Sequence, residues 1–191
     1  RVEECRLPVL QGRVGPESKE PLVATTSVPV QVQVNYVAGG PATSLPVRVS
    51  ALTREKWLRF ADYDDFSFNA PRGSRQTDDS GEEEATSSQD QRVVADKLAA
   101  TLDKNGTANL KPSPRPQDLL VETTFADPNG EIQTLRGTST LWPAAVIPGI
   151  KTEGWVSASQ SVKLQALALD LSGKPQAGVS LDVKAVARIT T

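Results

Sequence analysis

Between residues 28 and 36, valines at 28, 30, 32 and 34 and then Tyr36 alternate with Pro29, Gln31, Gln33 and Asn35. A period of two is the signature of a strand with one face in a core and the other in water. AGGPATSL follows, where Gly39 and Gly40 permit positive φ and Pro41 stiffens the exit. Leu45, Val47, Val49 and Ala51 then resume the alternation toward Trp57. Residues 2–14, VEECRLPVLQGRV, alternate more loosely around Pro8 and predict a kinked edge strand. Farther on, residues 93–102 are open to a helical reading because of their Ala and Leu content. Their alternation and the Asn105-Gly106 turn favour a strand. Leu119, Val121, Thr123 and Phe125 lead into Asp127-Pro128-Asn129-Gly130, and residues 131–141 form the returning arm of a predicted hairpin.

The pattern repeats itself. Setting Gly39 over Gly173 places GGPATSLPVRV on GKPQAGVSLDV without a gap, so VQVQVNYVAGGPATSLPVRVSAL has a second version in LQALALDLSGKPQAGVSLDVKAV. Two consecutive modules that open alike explain this. The first occupies residues 1–143 and is predicted to be an antiparallel, seven-stranded immunoglobulin- or fibronectin-III-like sandwich. The second occupies 144–191 and holds only opening strands. Between the two sheets of the first module, Val30, Val32, Val34, Val47 and Val49 are expected to face the core.

One stretch breaks the pattern. Within 69–92 no side chain is more apolar than Ala, while Asp78, Asp79, Glu82, Glu83, Glu84 and Asp90 accumulate. Such a segment cannot bury enough surface to offset an ordering cost of about 1–2 kcal/mol per residue, and it predicts a mobile acidic insertion. Its Arg72, Arg75 and Arg92 would offer a trypsin-like protease a sensitive loop, useful or not.

Composition narrows the chemistry. A 38% hydrophobic and 5% aromatic content, with 14 Pro and 13 Gly, suits many short strands and turns. A net charge of -2 with scattered Lys and Arg gives no reason to expect nucleic-acid binding. One Cys and no His rule out internal disulfides, His-based catalysis and the common zinc sites. Cys5 reads as a structural thiol, with an intermolecular disulfide as the lesser option. The acidic run lacks the fixed ligand spacing of a calcium loop, so no metal or cofactor is expected. Asp62, Asp64 and Asp65 are the one cluster able to support an enzymatic reading, through acid–base carboxylates, and surface placement explains them more simply. The sequon at Asn105 coincides with a good turn. No stretch of about 18 apolar residues exists, so membrane attachment would need parts absent here. Without a single Met, the chain is expected to be a segment of a longer protein.

RVEECRLPVL, VQVNYVAGGPATSLPVRV, YDDFSF, LLVETTFADPNGEIQTLRGTSTLWP and IKTEGWVSASQSVKLQALALDLSGKPQAGV, in that order, resemble macroglobulin-like domains of the alpha-2-macroglobulin and complement superfamily. The likeness is greatest to the bacterial branch. Val2, Glu4, Leu7 and Pro8 match an opening pattern in which Cys5 replaces a usual aromatic. The resemblance implies a non-catalytic scaffold segment of a secreted, periplasmic or envelope-bound protease trap, with an inner-membrane anchor in a missing N-terminus as one option. Its partners would be neighbouring macroglobulin domains and the proteases trapped by the full-length protein. The Cys-x-Glu-Gln thioester motif is absent, since Arg6, Leu7 and Pro8 follow Cys5. In this family bait lies in another module, which counts against the acidic insertion as bait. An immunoglobulin-like adhesin or cell-surface binding module is the alternative.

Overall fold

The computed structural model describes residues 9–69, 91–101, 106–110, 113–153 and 161–184. Cys5, Arg72, Arg75, Asn105 and the acidic residues 78–90 lie outside this set. The described chain is all-β, its one helical element being a 3-10 turn at Ala61–Tyr63. The chain divides into two compact units. One takes the described residues of Arg1–Lys56 and Gln76–Pro143, the other those of Trp57–Arg75 and Ala144–Thr191.

The first unit is a sandwich of two sheets. Strands β1 (Leu10–Pro16), β3 (Ser27–Tyr36) and β6 (Gly106–Asn109) form one, in the order β1-β3-β6. Strands β2 (Leu22–Val23), β4 (Pro46–Glu55), β5 (Gln91–Thr101), β7 (Gln117–Ala126) and β8 (Ile132–Trp142) form the other, in the order β2-β8-β7-β4-β5. All pairings are antiparallel except the two-residue match of β2 with β8, which runs parallel and departs from the expected arrangement.

The alternation seen in the sequence decides which face is core. Val14, Val28 and Val30 of the smaller sheet meet Ala51, Leu119, Val121 and Leu141 of the larger, and Leu10 and Val34 meet Val47 and Phe125. Val32 and Val49 are half-buried against these clusters, as their spacing predicts, whereas Tyr36 is exposed. Full burial of each such side chain contributes about 1.5–3 kcal/mol, so these few residues carry most of the driving force.

Two glycines let the sheets close on each other. A Cβ on Gly137 of β8 would fall on the Val14 carbonyl oxygen, and one on Gly12 would strike the Gln33 carbonyl and lie 2.9 Å from Leu135. At Gly137 the backbones of β1 and β8 approach too closely for any side chain, while Gly12 is confined by the β3 backbone beside it and the Leu135 side chain of the opposing sheet.

The described part of this stretch, residues 93–101, is a strand, and its alternation is broken. Register shifts occur against Val49, Ala51 and Leu52, with Lys97 at φ 45° and its amide donating to Ser50 Oγ at 3.0 Å. Bulges of this kind insert extra residues on one strand and turn side chains over. Val93 and Leu98 consequently both point outward, the latter 58% exposed.

The second unit contains β9 (Val146–Thr152), β10 (Leu164–Asp170) and the aromatic segment around Phe60 to Phe68. Sequence placed that segment within the first module; its contacts are with the strands of the second unit. Ser67 and Ile150 exchange backbone hydrogen bonds of 2.8 and 3.0 Å, which adds a short extended stretch to the free side of β9.

Candidate functional site

The three carboxylates that could have supported catalysis sit in the second unit, at and just after the 3-10 turn. Each is exposed, and they do not face one another as a coupled pair. Asp64 accepts from Arg59 Nε at 3.0 Å, while Asp65 Oδ2 accepts from Lys151 Nζ at 2.6 Å. The Lys151 hydrogen bond holds the Asp65 carboxyl below its ordinary range. General acid–base chemistry asks for a pair with separated proton affinities, one raised toward neutrality. A carboxylate held ionised by an ammonium group is suited to fastening, and this one fastens the aromatic segment to β9.

The same segment is anchored by its rings. Phe68 is buried, and a Cβ added to Gly149 would enter its ring, so the absence of a side chain on β9 is what admits Phe68. Phe60 lies against Gly173 in the same way, 2.8 Å from where a Cβ would be. Phe60 and Phe68 pack edge to face with centroids 4.8 Å apart, and the Lys151 ammonium lies 5.0 Å from the Phe66 ring centre. Asn69 closes the loop by accepting from the Leu58 amide and donating to the Leu58 carbonyl, both at 2.9 Å. Edge-to-face pairs and cation–π contacts each contribute about 0.5–1.5 kcal/mol beyond burial.

The aromatic run carries no role that periodicity alone assigns. Two signals pointed to one: a cluster of rings in a chain otherwise poor in them, and a glycine within the apolar strand VIPGIKT.

The repeat noted in the sequence is reproduced bond for bond. Tyr36 N donates to Gly40 O, Gly39 N to Tyr36 O and Ala42 N to Val34 O. At the same offset, Asp170 N donates to Lys174 O, Gly173 N to Asp170 O and Gln176 N to Ala168 O. Asn35 bridges Pro41 as Leu169 bridges Pro175. Gly39 and Gly173 take φ 111° and 88°, values that L side chains avoid. Asp170 reinforces the second copy, its Oδ1 accepting from the Ser172 and Lys174 amides at 2.8 and 3.0 Å, and the bond from Lys174 does most to hold its carboxyl below the usual value.

Where β4 and β8 leave the first unit, Lys56 Nζ donates to Asp118 Oδ1 at 2.9 Å and to Thr140 Oγ1 at 3.1 Å, and Arg115 grips Glu55 through both carboxylate oxygens at 2.9 and 3.0 Å. Arg92 is exposed and lies in β5 opposite Thr53. Cavities are small: about 320 Å³ over Leu52, Val93 and Leu120 on the outer face of the larger sheet, and about 160 Å³ near Leu110 and Trp142. Among the described residues no group of three potential ligands could hold a metal ion. None of their helices is long and apolar enough to cross a membrane.

No protein-family model and no curated protein matches the chain. Solved structures do. Alpha-2-macroglobulin of Escherichia coli activated by porcine elastase superposes with a TM-score of 0.56 at 17% identity, over 86% of this chain and 14% of that one. The native conformation of the same protein gives 0.57 at 17%, over 88% and 11%, and the trypsin-activated crystal structure 0.56 at 17%, over 88% and 12%. This chain therefore spans a small fraction of the length of the proteins it resembles. The similarity is one of fold, and it agrees with the macroglobulin-like sandwich expected from the sequence.

Proposed function

We propose that this chain is a non-catalytic scaffold segment of a bacterial alpha-2-macroglobulin-like protease trap. The observation that carries the reading is the repeated module opening. β1 and β3 pair with Leu10 opposite Tyr36, and β9 and β10 pair with Val146 opposite Asp170, each pair ending in the same turn. Consecutive copies of one sandwich are what a large multi-module shell requires, and fold likeness to a bacterial alpha-2-macroglobulin supports that setting.

In this reading the segment holds neighbouring modules in place while bait cleavage and any thioester chemistry occur elsewhere in the protein. Clamps such as Lys56–Asp118–Thr140 and Arg115–Glu55 stiffen strand ends through which force between modules would pass. The partners are adjoining macroglobulin modules and, through the whole protein, proteases; the compartment is the periplasm or cell envelope. An immunoglobulin-like adhesin would share the strands and turns, but no observation favours it.

The test uses the full-length parent protein with elastase or trypsin. A trap compacts on cleavage, measured by small-angle scattering, and retains the protease on gel filtration. A parent that is cut without change of shape and without retained protease overturns the reading.

A further inference from the structure

Three turns share one frame. At Tyr36–Gly40, Asp127–Glu131 and Asp170–Lys174 the first amide donates to the fifth carbonyl, and the glycine in fourth place donates back to the first carbonyl. Gly39, Gly130 and Gly173 accordingly take φ 111°, 81° and 88°. In the two turns that begin with aspartate, Oδ1 also accepts from the third and fifth amides. Asp127 receives Asn129 and Glu131 at 2.8 Å each, as Asp170 receives Ser172 and Lys174 at 2.8 and 3.0 Å.

The residue before the glycine is Ala38 in the first turn, Asn129 in the second and Ser172 in the third. Alanine and serine build the same frame, so the frame does not require asparagine. What asparagine adds is a chemically labile carboxamide beside the least hindered amide a chain can offer. Asn129 and Gly130 are both exposed, and a Cβ on Gly130 would meet nothing within 4 Å, so the tip of the β7–β8 hairpin is open to water.

We propose that Asn129–Gly130 is a site of spontaneous deamidation, held in check by the Asp127 clamp. Gly130 N gives its proton to hydroxide and attacks Asn129 Cγ. The N–Cγ bond forms, the Cγ–Nδ2 bond breaks, and the leaving nitrogen takes a proton from water and departs as ammonia, leaving a cyclic imide. Water then opens the ring at either carbonyl to give aspartate or isoaspartate at position 129. One water is consumed, one ammonia is released, and nothing is oxidised or reduced.

The folded turn opposes the first step twice. The Gly130 N–H is engaged by the Asp127 carbonyl at 2.9 Å. The amides on either side, those of Asn129 and Glu131, are pinned to one carboxylate oxygen, so the peptide between them cannot swing toward the Asn129 side chain until the clamp opens. Hydrogen bonds to a carboxylate are the stronger class, and each suppresses such opening by about tenfold or more. The reaction therefore reports local opening of the hairpin tip while the sandwich stays folded. Isoaspartate adds a methylene to the backbone between the two pinned amides, so the clamp does not re-form in its present register, and either product places a second carboxylate beside Asp127.

This chemistry is independent of protease trapping, and a parent protein that retains no protease leaves it standing. The 191-residue chain is incubated at mildly alkaline pH in water enriched in heavy oxygen, and peptide mapping by mass spectrometry follows the heavy-oxygen label at Asn129 separately from Asn105. In the folded chain Asn129 is expected to convert at least about tenfold more slowly than in the same chain unfolded in urea. Asp127→Ala raises the folded-state rate several-fold while β7 amides keep their exchange protection. Asp170→Ala, which removes the sister clamp, leaves the Asn129 rate unchanged. Asn129→Ser, which installs the residue of the sister turn, abolishes labelling at position 129 and keeps the hairpin. Equal rates in folded and unfolded chain, a comparison that needs no variant, overturn the proposal. So does absence of conversion in the unfolded chain, or an Asp127→Ala variant that keeps its β7 protection and the native rate.

Discussion

Thr123 occupies a position on β7 between Val121 and Phe125 where the alternation points straight into the core. It is completely buried, and its Oγ1 has no hydrogen-bond partner among the described residues. An unsatisfied buried hydroxyl costs about 1–3 kcal/mol, so Thr123→Val, which keeps the shape and removes the polar atom, is expected to raise stability by about 1 kcal/mol. Chemical denaturation checks this, and a loss of stability would show that the hydroxyl is satisfied after all. Asp170 presents the opposite case, a carboxylate whose Oδ1 accepts from the amides of its own turn and from the Ser172 hydroxyl. Its folded value lies below the ordinary 3.8, so its contribution is present above the unfolded value and is lost as pH falls through the lower folded one. Amide exchange at Ser172 and Lys174 should therefore stay slow down to about the ordinary value and accelerate only in more acid solution. Acceleration beginning near neutrality would contradict the assignment. Asp127 was legible from sequence as part of a hairpin, and its Oδ1 accepts from the Asn129 and Glu131 amides at 2.8 Å each. Thr123 was legible as a core position; that its hydroxyl lacks a partner was not, because partners come from neighbouring strands.

At the scale of elements, periodicity performed well wherever a strand is regular. β3, β4 and β7 bury the positions their alternation marks, since one face meets the opposing sheet and the other meets water. It performed less well for β5, where bulges reverse the faces, and for β2, whose two residues pair in parallel with β8 and carry no pattern to read. Close approaches between sheets are equally silent in a hydropathy pattern. Gly137 is the clearest case, because its environment is set by β1, far away in sequence. Gly137→Ala should force β8 away from Val14 and lower the stability of the first unit by roughly 1–3 kcal/mol, the usual cost of overpacking. Thermal or chemical unfolding reads it, and an unchanged midpoint would mean that the strands separate without penalty.

For the molecule as a whole, the repeat was legible and so was the macroglobulin-like fold. What sequence order concealed is the composition of the second unit, which gathers the aromatic segment from one part of the chain and β9 and β10 from another. Hydrophobic patterning reports that a residue will be buried and is silent about which distant strand will bury it. The glycine that receives Phe68 makes this arrangement testable. Gly149→Val is expected to expel the ring, so that the Ser67 and Ile150 amides, each donating to the other residue's carbonyl in the native chain, lose exchange protection while β7 and β8 keep theirs. Retained protection at Ser67 and Ile150 would show that the segment is held by something other than its rings.

Because the second unit draws on two separated stretches, it is not a contiguous cassette. A gene cut at the linker after Pro143 would deliver β9 and β10 without the rings that pack against Gly149 and Gly173. Recombination that shuffles whole modules would then be penalised at this junction, and the two modules are expected to be inherited, swapped and engineered as a pair.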